Sequence, residues 1–369
     1  MTSREPIQRA RSIVIKVGSA VLTGGNDRLD TAYMHDLARV IASLRTEQRR
    51  IIVVTSGAVA AGLSGMGLSR RPTDLASLQA AASVGQPLLM DRWSEAFAKT
   101  ETTIAQILVN RQDFDHRARY LNIRNCILRL HEANAIPLVN ENDAVATEEI
   151  SLGDNDVLAA KLAAAVRAEA LIILTTARGV EDPSGAVVET VNDPDTLVQH
   201  IRPEKSTQGR GGMVTKIEAA RIASLGGCST CIAPGRPPDT LAQLLAGEPI
   251  GTCIASPLAR HAGRRLWIAH TATPVGVLTI DDGAANAITH RNASLLAKGI
   301  RGITGKFEAG DVVSIQDLNT REIARGLVNF ASDQLRVIAG RDSREFESIL
   351  GRRTHEEAIH RDNLALTAR

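Results

Sequence analysis

The chain has 369 residues, enough for two or three domains, and its 44% hydrophobic and 23% charged residues are ordinary for a soluble globular protein. A formal net charge of +2 and only 2% aromatic residues argue against binding nucleic acid through a basic surface or through base stacking. The N-terminal residues lack the apolar core of a signal peptide. The sequence also contains no run of about 18 apolar residues, the length that a bilayer-spanning helix needs. We therefore expect a cytoplasmic protein with no membrane contact.

The four cysteines are too few for a disulfide framework in a chain of this length. Cys228 and Cys231 have the CxxC spacing, but no second pair supports a zinc site, and the motif falls within a predicted strand. The nine histidines are scattered without metal-ligand spacing. The sequence thus predicts reduced structural cysteines and no protein-held metal.

Short apolar runs alternate with helical patterns through the first two thirds of the chain. The predicted strands cover residues 13–17, 51–54, 103–109, 136–139, 171–175 and 230–233. The predicted helices include one capped by Asp30, one over 74–99 with a break near Gly85 to Pro87, and two over 117–134 and 157–167. Continuous apolar strands separated by helices predict an α/β fold with an open, mostly parallel sheet sandwiched by helices.

The pattern changes after the proline-rich stretch at 234–238. Residues 258–273 contain the basic segment LARHAGRR and predict a linker after a domain of residues 1–257. Residues 274–353 show short strands with tight turns, which predicts a small β-rich domain, and residues 354–369 are expected to form a frayed tail.

The densest group of polar side chains lies in the segment PLVNENDAVATEEISLGDND, residues 137–156. Asn140, Glu141, Asn142 and Asp143 follow a predicted strand directly, and the cluster GDND, at 153–156, comes before a predicted helix. A pair of turns built on Asn and Asp would explain either cluster alone. Two clusters within eighteen residues, at a strand end and a helix start, favour a ligand site.

Two lysines are candidates for binding an anion near this site. Lys16 ends the first predicted strand, where a lone lysine is more often a charge that extends to solvent. Lys216 ends the loop GRGGMVTK, whose glycines would let backbone N–H groups approach a phosphate, although many such loops are only flexible. The loop lacks the Walker A spacing, as does GITGK at 302–306, which predicts a β-turn.

Together these residues fit phosphoryl transfer, which needs positive charge placed around the moving group more than it needs covalent chemistry. Lys16 and Lys216 would approach the phosphoryl group from different elements, and Asp156 between them would hold both ammonium groups. Asp143, Asn142 and Asn155 would then bind a small polar acceptor.

Five ordered stretches, VIKVGSAVLT, IVVTSGAVAAG, VNENDAVATEEI, GDND and GRGGMVTK, resemble the amino-acid kinase family over residues 10–257. The likeness is greatest to the branch that phosphorylates the γ-carboxylate of L-glutamate in the first step of proline synthesis. The segments TIDDGAANAI, KGIRGITGKFEAGDVV and IARGLVNF resemble the PUA domain that many bacterial members carry.

The resemblance implies an ATP- and Mg²⁺-dependent kinase whose site residues fall into three groups. It assigns catalysis to Lys16, Lys216 and Asp156, and glutamate binding to Ser56, Asp143 and Asn155. The nucleotide would be bordered by Lys16, Thr175, Thr176, Arg210, Gly211, Gly212, Met213, Val214, Thr215 and Lys216. Thr176 departs from the family, which usually has an aspartate at this position.

Feedback inhibition by proline and a homo-oligomer are also implied by the resemblance. Two alternatives stay open: a kinase of the same family for another carboxylate or carbamate, and an RNA-binding protein, since PUA domains occur in such proteins. Basic and acidic side chains balance from Pro274 to Arg369, so only weak RNA binding is expected there.

Overall fold

The computed structural model describes residues 4–26, 28–68, 70–146, 154–200, 212–256, 268–269, 273–351 and 355–367. These residues form two compact units. The first unit contains the described residues up to Asp113 and those from Asn122 to Ser256. The second contains Phe114–Leu121 and the described residues from Ile268 onward.

The first unit contains an eight-stranded sheet and most of the helices of the described chain. Its strands are β1 (Ser12–Val17), β2 (Arg50–Val54), β3 (Ile104–Val109), β4 (Ile136–Glu141), β5 (Ala170–Thr175), β6 (Thr190–Val191), β7 (Ser229–Pro234) and β8 (Thr252–Ile254). The α-helices up to Ala246 are α1 (Glu5–Gln8), α2 (Ser19–Thr23), α3 (Thr31–Thr46), α4 (Ala58–Gly65), α5 (Leu75–Ala98), α6 (Arg117–Glu132), α7 (Asp154–Val166), α8 (Gly212–Leu225) and α9 (Thr240–Ala246).

The strand order is β3-β4-β2-β1-β5-β7-β8-β6. Neighbouring strands from β3 to β7 pair in parallel, as do β8 and β6, and among the described strands of this sheet the β7–β8 pairing alone is antiparallel. The register places Lys16 beside Val54 of β2 and Ile173 of β5, so the carboxyl ends of these central strands lie at one edge. The predicted α/β sheet is confirmed, and this edge is where such sheets bind ligands.

Helices cover both faces of the sheet. The odd-numbered residues of β1, such as Ile13 and Ile15, belong to a core that also contains residues of α3, α5 and α9. The even-numbered Val14 is also fully buried, and α7 and α8 pack on the sheet beside β1 and β7. Because side chains alternate along a strand, Lys16 lies on the Val14 face. Strands buried on both faces explain the continuous apolar runs of the sequence.

The expected break near Gly85 to Pro87 is wrong, because α5 is continuous through both residues. A Cβ on Gly85 would lie 1.8 Å from the Ala58 carbonyl oxygen of α4, and one on Gly62 would lie 1.7 Å from the Ala81 carbonyl oxygen of α5. These glycines therefore allow two helices to touch through their backbones. Pro87 removes one N–H from the helix without ending it.

The second unit contains a five-stranded sheet of order β10-β9-β11-β12-β13 and three α-helices among its residues from 273 onward. The elements are β9 (Gly276–Ile280), α10 (Asp282–Arg291), β10 (Ile300–Gly305), β11 (Val312–Gln316), β12 (Glu322–Leu327), α11 (Ser332–Ile338), α12 (Phe346–Leu350) and β13 (Leu364–Leu366). The predicted β-rich character is confirmed, whereas α10 was not predicted. The β-turn predicted for 302–306 is wrong, because Gly302 to Gly305 pair with β9.

The expectation of a frayed tail is also wrong for the described residues 355–367. β13 pairs antiparallel with β12, and Ile359 forms a bridge with Leu295. Ala358, Ile359 and Leu364 are buried in the core of the second unit. Residues 364–366 thus form the outer strand of this sheet next to β12. The apolar segment there was too short to predict a strand from the sequence.

Candidate active site

The centre of the site is a buried cluster of three charges at the carboxyl edge of the sheet. Lys16 comes from the end of β1, Asp156 from the first turn of α7 and Lys216 from the second turn of α8. The Lys16 Nζ lies 2.6 Å from one carboxylate oxygen of Asp156, and the Lys216 Nζ lies 3.0 Å from the other. The two lysines, 200 positions apart in sequence, therefore share one carboxylate.

Burial makes the electrostatics of this cluster strong. Asp156 is fully buried, and both lysines are less than a tenth exposed. Burial by itself would raise the pKa of Asp156, but the two ammonium groups hold it below its ordinary value. Burial lowers the pKa of Lys16, with Asp156 opposing this effect and Lys216 adding to it. Two cations on one anion leave a net positive charge facing the sheet edge.

The first turn of α8 adds neutral contacts to the same cluster. The Lys216 Nζ also donates to the Gly212 carbonyl oxygen at 2.8 Å, and the Thr215 hydroxyl donates to Asp156 at 3.1 Å. Gly212 and Val214 are exposed, and no atom of the described residues lies within 4 Å of the position of a Cβ on Gly212. The described start of α8 is therefore exposed, while Lys216 on its second turn is buried.

Asn155 connects this cluster to the ends of two strands. Its Nδ2 lies 3.0 Å from each of three acceptors, which are the Thr55 carbonyl oxygen, the Ser56 Oγ and the Asn140 Oδ1. The sequence predicted that α7 begins at Val157, but it begins at Asp154, so Asn155 and Asp156 lie in its first turn. Adjacent residues of one turn thus contact the lysines on one side and the strand ends on the other.

Asp143 follows β4 by two residues and begins a short 3₁₀ helix, Asp143–Val145. It is half-buried, and this burial raises the pKa of its carboxyl group to about 6, against a smaller opposing effect of Arg71. An incoming cation would offset the burial cost of its charged form, as expected for a carboxylate that receives an ammonium group.

The remaining predicted residues border the same sheet edge or lie outside the described chain. Thr175 ends β5 and its carbonyl oxygen accepts from the Gly235 N–H at 2.7 Å, while Thr176 is exposed. Gly212, Met213, Val214, Thr215 and Lys216 form the start of α8. Arg210 and Gly211 lie outside the described residues.

Two further residues contact this network: Asn140, which the sequence placed in the polar cluster after a predicted strand without giving it a role, and Gln86, which sequence reasoning missed. Asn140 is almost fully buried, accepts from Asn155, and donates its Nδ2 to the Gln86 Oε1 at 2.8 Å. Asn140 had a signal, since it directly follows an apolar strand in the NEND segment. Gln86 had none, because a lone glutamine within a helical pattern resembles any solvated residue.

Among the described residues, no three His, Cys, Asp or Glu side chains form a group that could hold a metal ion. None of the helices in the described ranges combines the length and the apolarity needed to cross a bilayer. None of the four cysteines, all of which are described, forms a disulfide.

Comparisons with known proteins identify the families of both domains. The profile of the amino acid kinase family matches residues 11–234, and that of the PUA domain matches residues 276–350. The glutamate 5-kinase of Thermus thermophilus is 42% identical over 97% of both chains. The glutamate 5-kinase of Methylococcus capsulatus is 41% identical over the full length of both chains, and that of Streptomyces coelicolor is 41% identical over 99% of this chain and 98% of its own.

A solved structure of N-acetylglutamate synthase from Neisseria gonorrhoeae, in complex with coenzyme A and N-acetyl-glutamate, shares the fold. The TM-score is 0.51 at 19% identity, and the match covers 70% of this chain and 63% of the synthase chain. The family profile and the full-length relatives together decide the assignment. This chain belongs to the amino acid kinase family, in the branch of its glutamate 5-kinase relatives, and it carries a C-terminal PUA domain.

Proposed function

We propose that this protein transfers the γ-phosphoryl group of ATP to the γ-carboxylate of L-glutamate, giving L-glutamyl 5-phosphate and ADP as the first step of proline biosynthesis. The observation that carries the proposal is the position of the Lys16–Asp156–Lys216 cluster directly beside the Asn155 amide. A site for a moving phosphoryl group and a site for a polar acceptor are thereby adjacent. The names of the full-length relatives agree with this substrate.

In this mechanism Lys16 and Lys216 stabilise the negative charge on the transferred group. Phosphoryl transfer spreads charge over the outer oxygens, so two fixed ammonium groups lower the barrier without proton transfer. Asp156 holds the two ammonium groups 2.6 and 3.0 Å from its oxygens, so little rearrangement is needed when the phosphoryl group moves. The acceptor carboxylate is already ionised and nucleophilic, so no general base is needed. Its positioning against the phosphoryl group contributes to the rate instead.

The residues at the start of α8 fit a nucleotide phosphate chain. Gly212 is exposed at the described start of α8, where N–H groups and the helix dipole favour anions. Arg210 to Lys216, with Thr175 and Thr176, would border the nucleotide. Mg²⁺ would be held mainly by the phosphates and water, which suits a site where the described residues form no metal-binding group of their own.

On the acceptor side, Asp143 would pair with the α-ammonium group of glutamate, and Ser56 and Asn155 would bind its oxygens or its amine. Burial destabilises the charged form of Asp143, as its raised pKa shows, and a bound cation would stabilise that form. Proline also carries an α-carboxylate and a positively charged α-nitrogen, so we propose that it inhibits by competing with glutamate for this side of the site. We also propose a cytoplasmic homo-oligomer whose PUA domain contacts RNA only weakly.

The test is a panel of acceptors assayed with ATP and Mg²⁺, in which hydroxylamine traps any acyl phosphate formed. Glutamate, aspartate, N-acetylglutamate and carbamate would be compared by kcat/KM. We expect glutamate to exceed every other acceptor by about 10- to 150-fold, since a buried charged contact that a poorer acceptor leaves unmade costs about 1.5–3 kcal/mol. A preference for another acceptor would contradict the glutamate assignment and leave the family intact.

A further inference from the structure

One face of α5 makes three polar contacts with the segments that build the acceptor side of the site. Gln79, Gln86 and Trp93 are spaced seven residues apart, which is close to two helical turns. The Gln79 Nε2 donates to the Ala146 carbonyl oxygen at 2.9 Å, and the Trp93 Nε1 donates to the Thr55 Oγ1 at 3.0 Å. Between them, the Gln86 Oε1 accepts from the Asn140 Nδ2 at 2.8 Å.

The Gln86 contact determines how the neighbouring amides can be oriented. Asn140 uses its Oδ1 to accept from Asn155 and its Nδ2 to donate to Gln86. A reversed Asn140 amide would set its oxygen against the Gln86 oxygen and its N–H groups against those of Asn155, so neither hydrogen bond could form. The Gln86 oxygen therefore favours the one Asn140 orientation that accepts from Asn155.

The Asn155 amide is in turn oriented by where its Nδ2 donates. With Nδ2 directed to Thr55, Ser56 and Asn140, the buried Oδ1 has no hydrogen-bond partner among the described residues. A buried amide oxygen without a partner is costly unless a ligand donates to it. Its orientation is therefore a property on which acceptor binding depends.

The backbone that carries Gln86 is held in place. Gly85 directly before it touches α4, where a Cβ would lie 1.8 Å from the Ala58 carbonyl oxygen. Leu89 and Trp93, on the following turns of α5, are fully buried. Gln86 thus projects from a fixed point, as a residue that orients another side chain requires.

We propose that Gln86 is a positioning residue of the acceptor site, which sets the orientation of the Asn155 amide through Asn140. The inference rests on the proposed function and adds to it, because it predicts a residue on α5, outside the resemblance motifs, that controls acceptor affinity. Loss of the Gln86 oxygen weakens acceptor binding, while the nucleotide side, held by Lys16 and Lys216, is unaffected.

The test compares Gln86→Met, which removes the acceptor oxygen at similar length, with Gln86→Glu, which keeps it. The Gln86 Nε2 has no partner among the described residues, so the glutamate variant loses no donor contact there. We expect Gln86→Met to raise the KM for glutamate about tenfold and to change the KM for ATP less than about twofold, as loss of a buried hydrogen bond at one substrate predicts. Gln86→Glu should recover most of that loss. Ser83→Ala is the matched control, since this exposed hydroxyl bonds only within α5.

A double-variant cycle shows whether Gln86 acts through Asn140. In an Asn140→Ala background, Gln86→Met should add less than about a twofold change in the glutamate KM. Multiplying effects in the double variant, or equal increases in the KM values for glutamate and ATP, would overturn the inference. So would an unchanged glutamate KM in Gln86→Met with an active wild type, and that result leaves the proposed function intact. If the wild type prefers another acceptor of the panel, the glutamate assignment fails, and the same comparison with that acceptor decides the role of Gln86.

Discussion

Asp156→Asn is the change for which the structure predicts the largest electrostatic effect on stability. The substitution keeps the size of the side chain but removes the charge shared by Lys16 and Lys216 at 2.6 and 3.0 Å. Because Asp156 is fully buried and both lysines nearly so, water cannot replace the lost carboxylate. Removing one partner of a buried ion pair typically costs about 3–5 kcal/mol, so we expect a loss of this size in the free energy of unfolding at pH 7.

The pH dependence of this loss separates charge from packing. Burial already lowers the pKa of Lys16 from its ordinary value of 10.5, and without the opposing effect of Asp156 it falls further. Between the lowered pKa of Lys16 in the folded variant and about pH 10, the unfolded chain binds more protons than the folded variant, so the stability of the variant rises with pH in this range. The difference in unfolding free energy between wild type and Asp156→Asn should therefore shrink between pH 7 and pH 9.5.

The assay is urea unfolding followed by intrinsic tryptophan fluorescence at both pH values, with Asp36→Asn as the matched control. Asp36 makes an exposed ion pair with Arg39 on α3, at 3.2 Å, and exposed pairs contribute only about 0–1 kcal/mol. If Asp156→Asn were no more destabilising than Asp36→Asn, the two lysines would not depend on the shared carboxylate and the electrostatic account of the site would be wrong.

Three further predictions follow from the site and from the packing. The kcat/KM for glutamate should fall as the pH drops through about 6, because Asp143 becomes protonated there. The variant Asp143→Asn should lose this pH dependence, and its KM should rise far more for glutamate than for ATP. Lys216→Met should lower kcat by about 10²–10³ in the hydroxylamine assay with modest changes in both KM values, and near-normal turnover would exclude Lys216 from the chemistry. Gly62→Ala should destabilise the protein by about 3 kcal/mol in urea unfolding, because its Cβ would lie 1.7 Å from the Ala81 carbonyl oxygen, and a neutral change would mean that α4 and α5 separate easily.

The sheet could be predicted from the sequence because its strands are buried on both faces and appear as continuous apolar runs. The cap of α3 could also be predicted, and the Asp30 carboxylate does accept from the Tyr33 N–H at 3.0 Å. Both lysines could be predicted as anion-binding candidates from the sequence. Lys16 lies at a strand end, and Lys216 follows a glycine-rich loop. Only the fold shows that both contact the same carboxylate, since nothing local relates positions 200 residues apart.

The wrong predictions share a physical cause. A short sequence pattern is compatible with two structures until the segment that packs against it is known. Gly85 and Pro87 predict a break in an isolated segment, but in the fold Gly85 lies against the Ala58 carbonyl oxygen of α4. The pattern of residues 302–306 predicts a turn, but β9 supplies the hydrogen-bonding partner that makes residues 302–305 part of a strand. In both cases the deciding contact lies outside the segment itself.

The two halves of the site differ in this respect, and the difference explains why one was easier to predict. The phosphoryl side is built from charged residues at strand ends and helix starts, positions where a charge already suggests a ligand. On the acceptor side, Gln86 holds Asn140, and Asn140 holds Asn155, through neutral amides. An amide can donate or accept, so its type does not reveal its role, and only the geometry of its neighbours fixes which atom faces the substrate. Under this proposal, residues that tune acceptor affinity are to be sought on α5, where a lone glutamine carries no distinguishing sequence pattern.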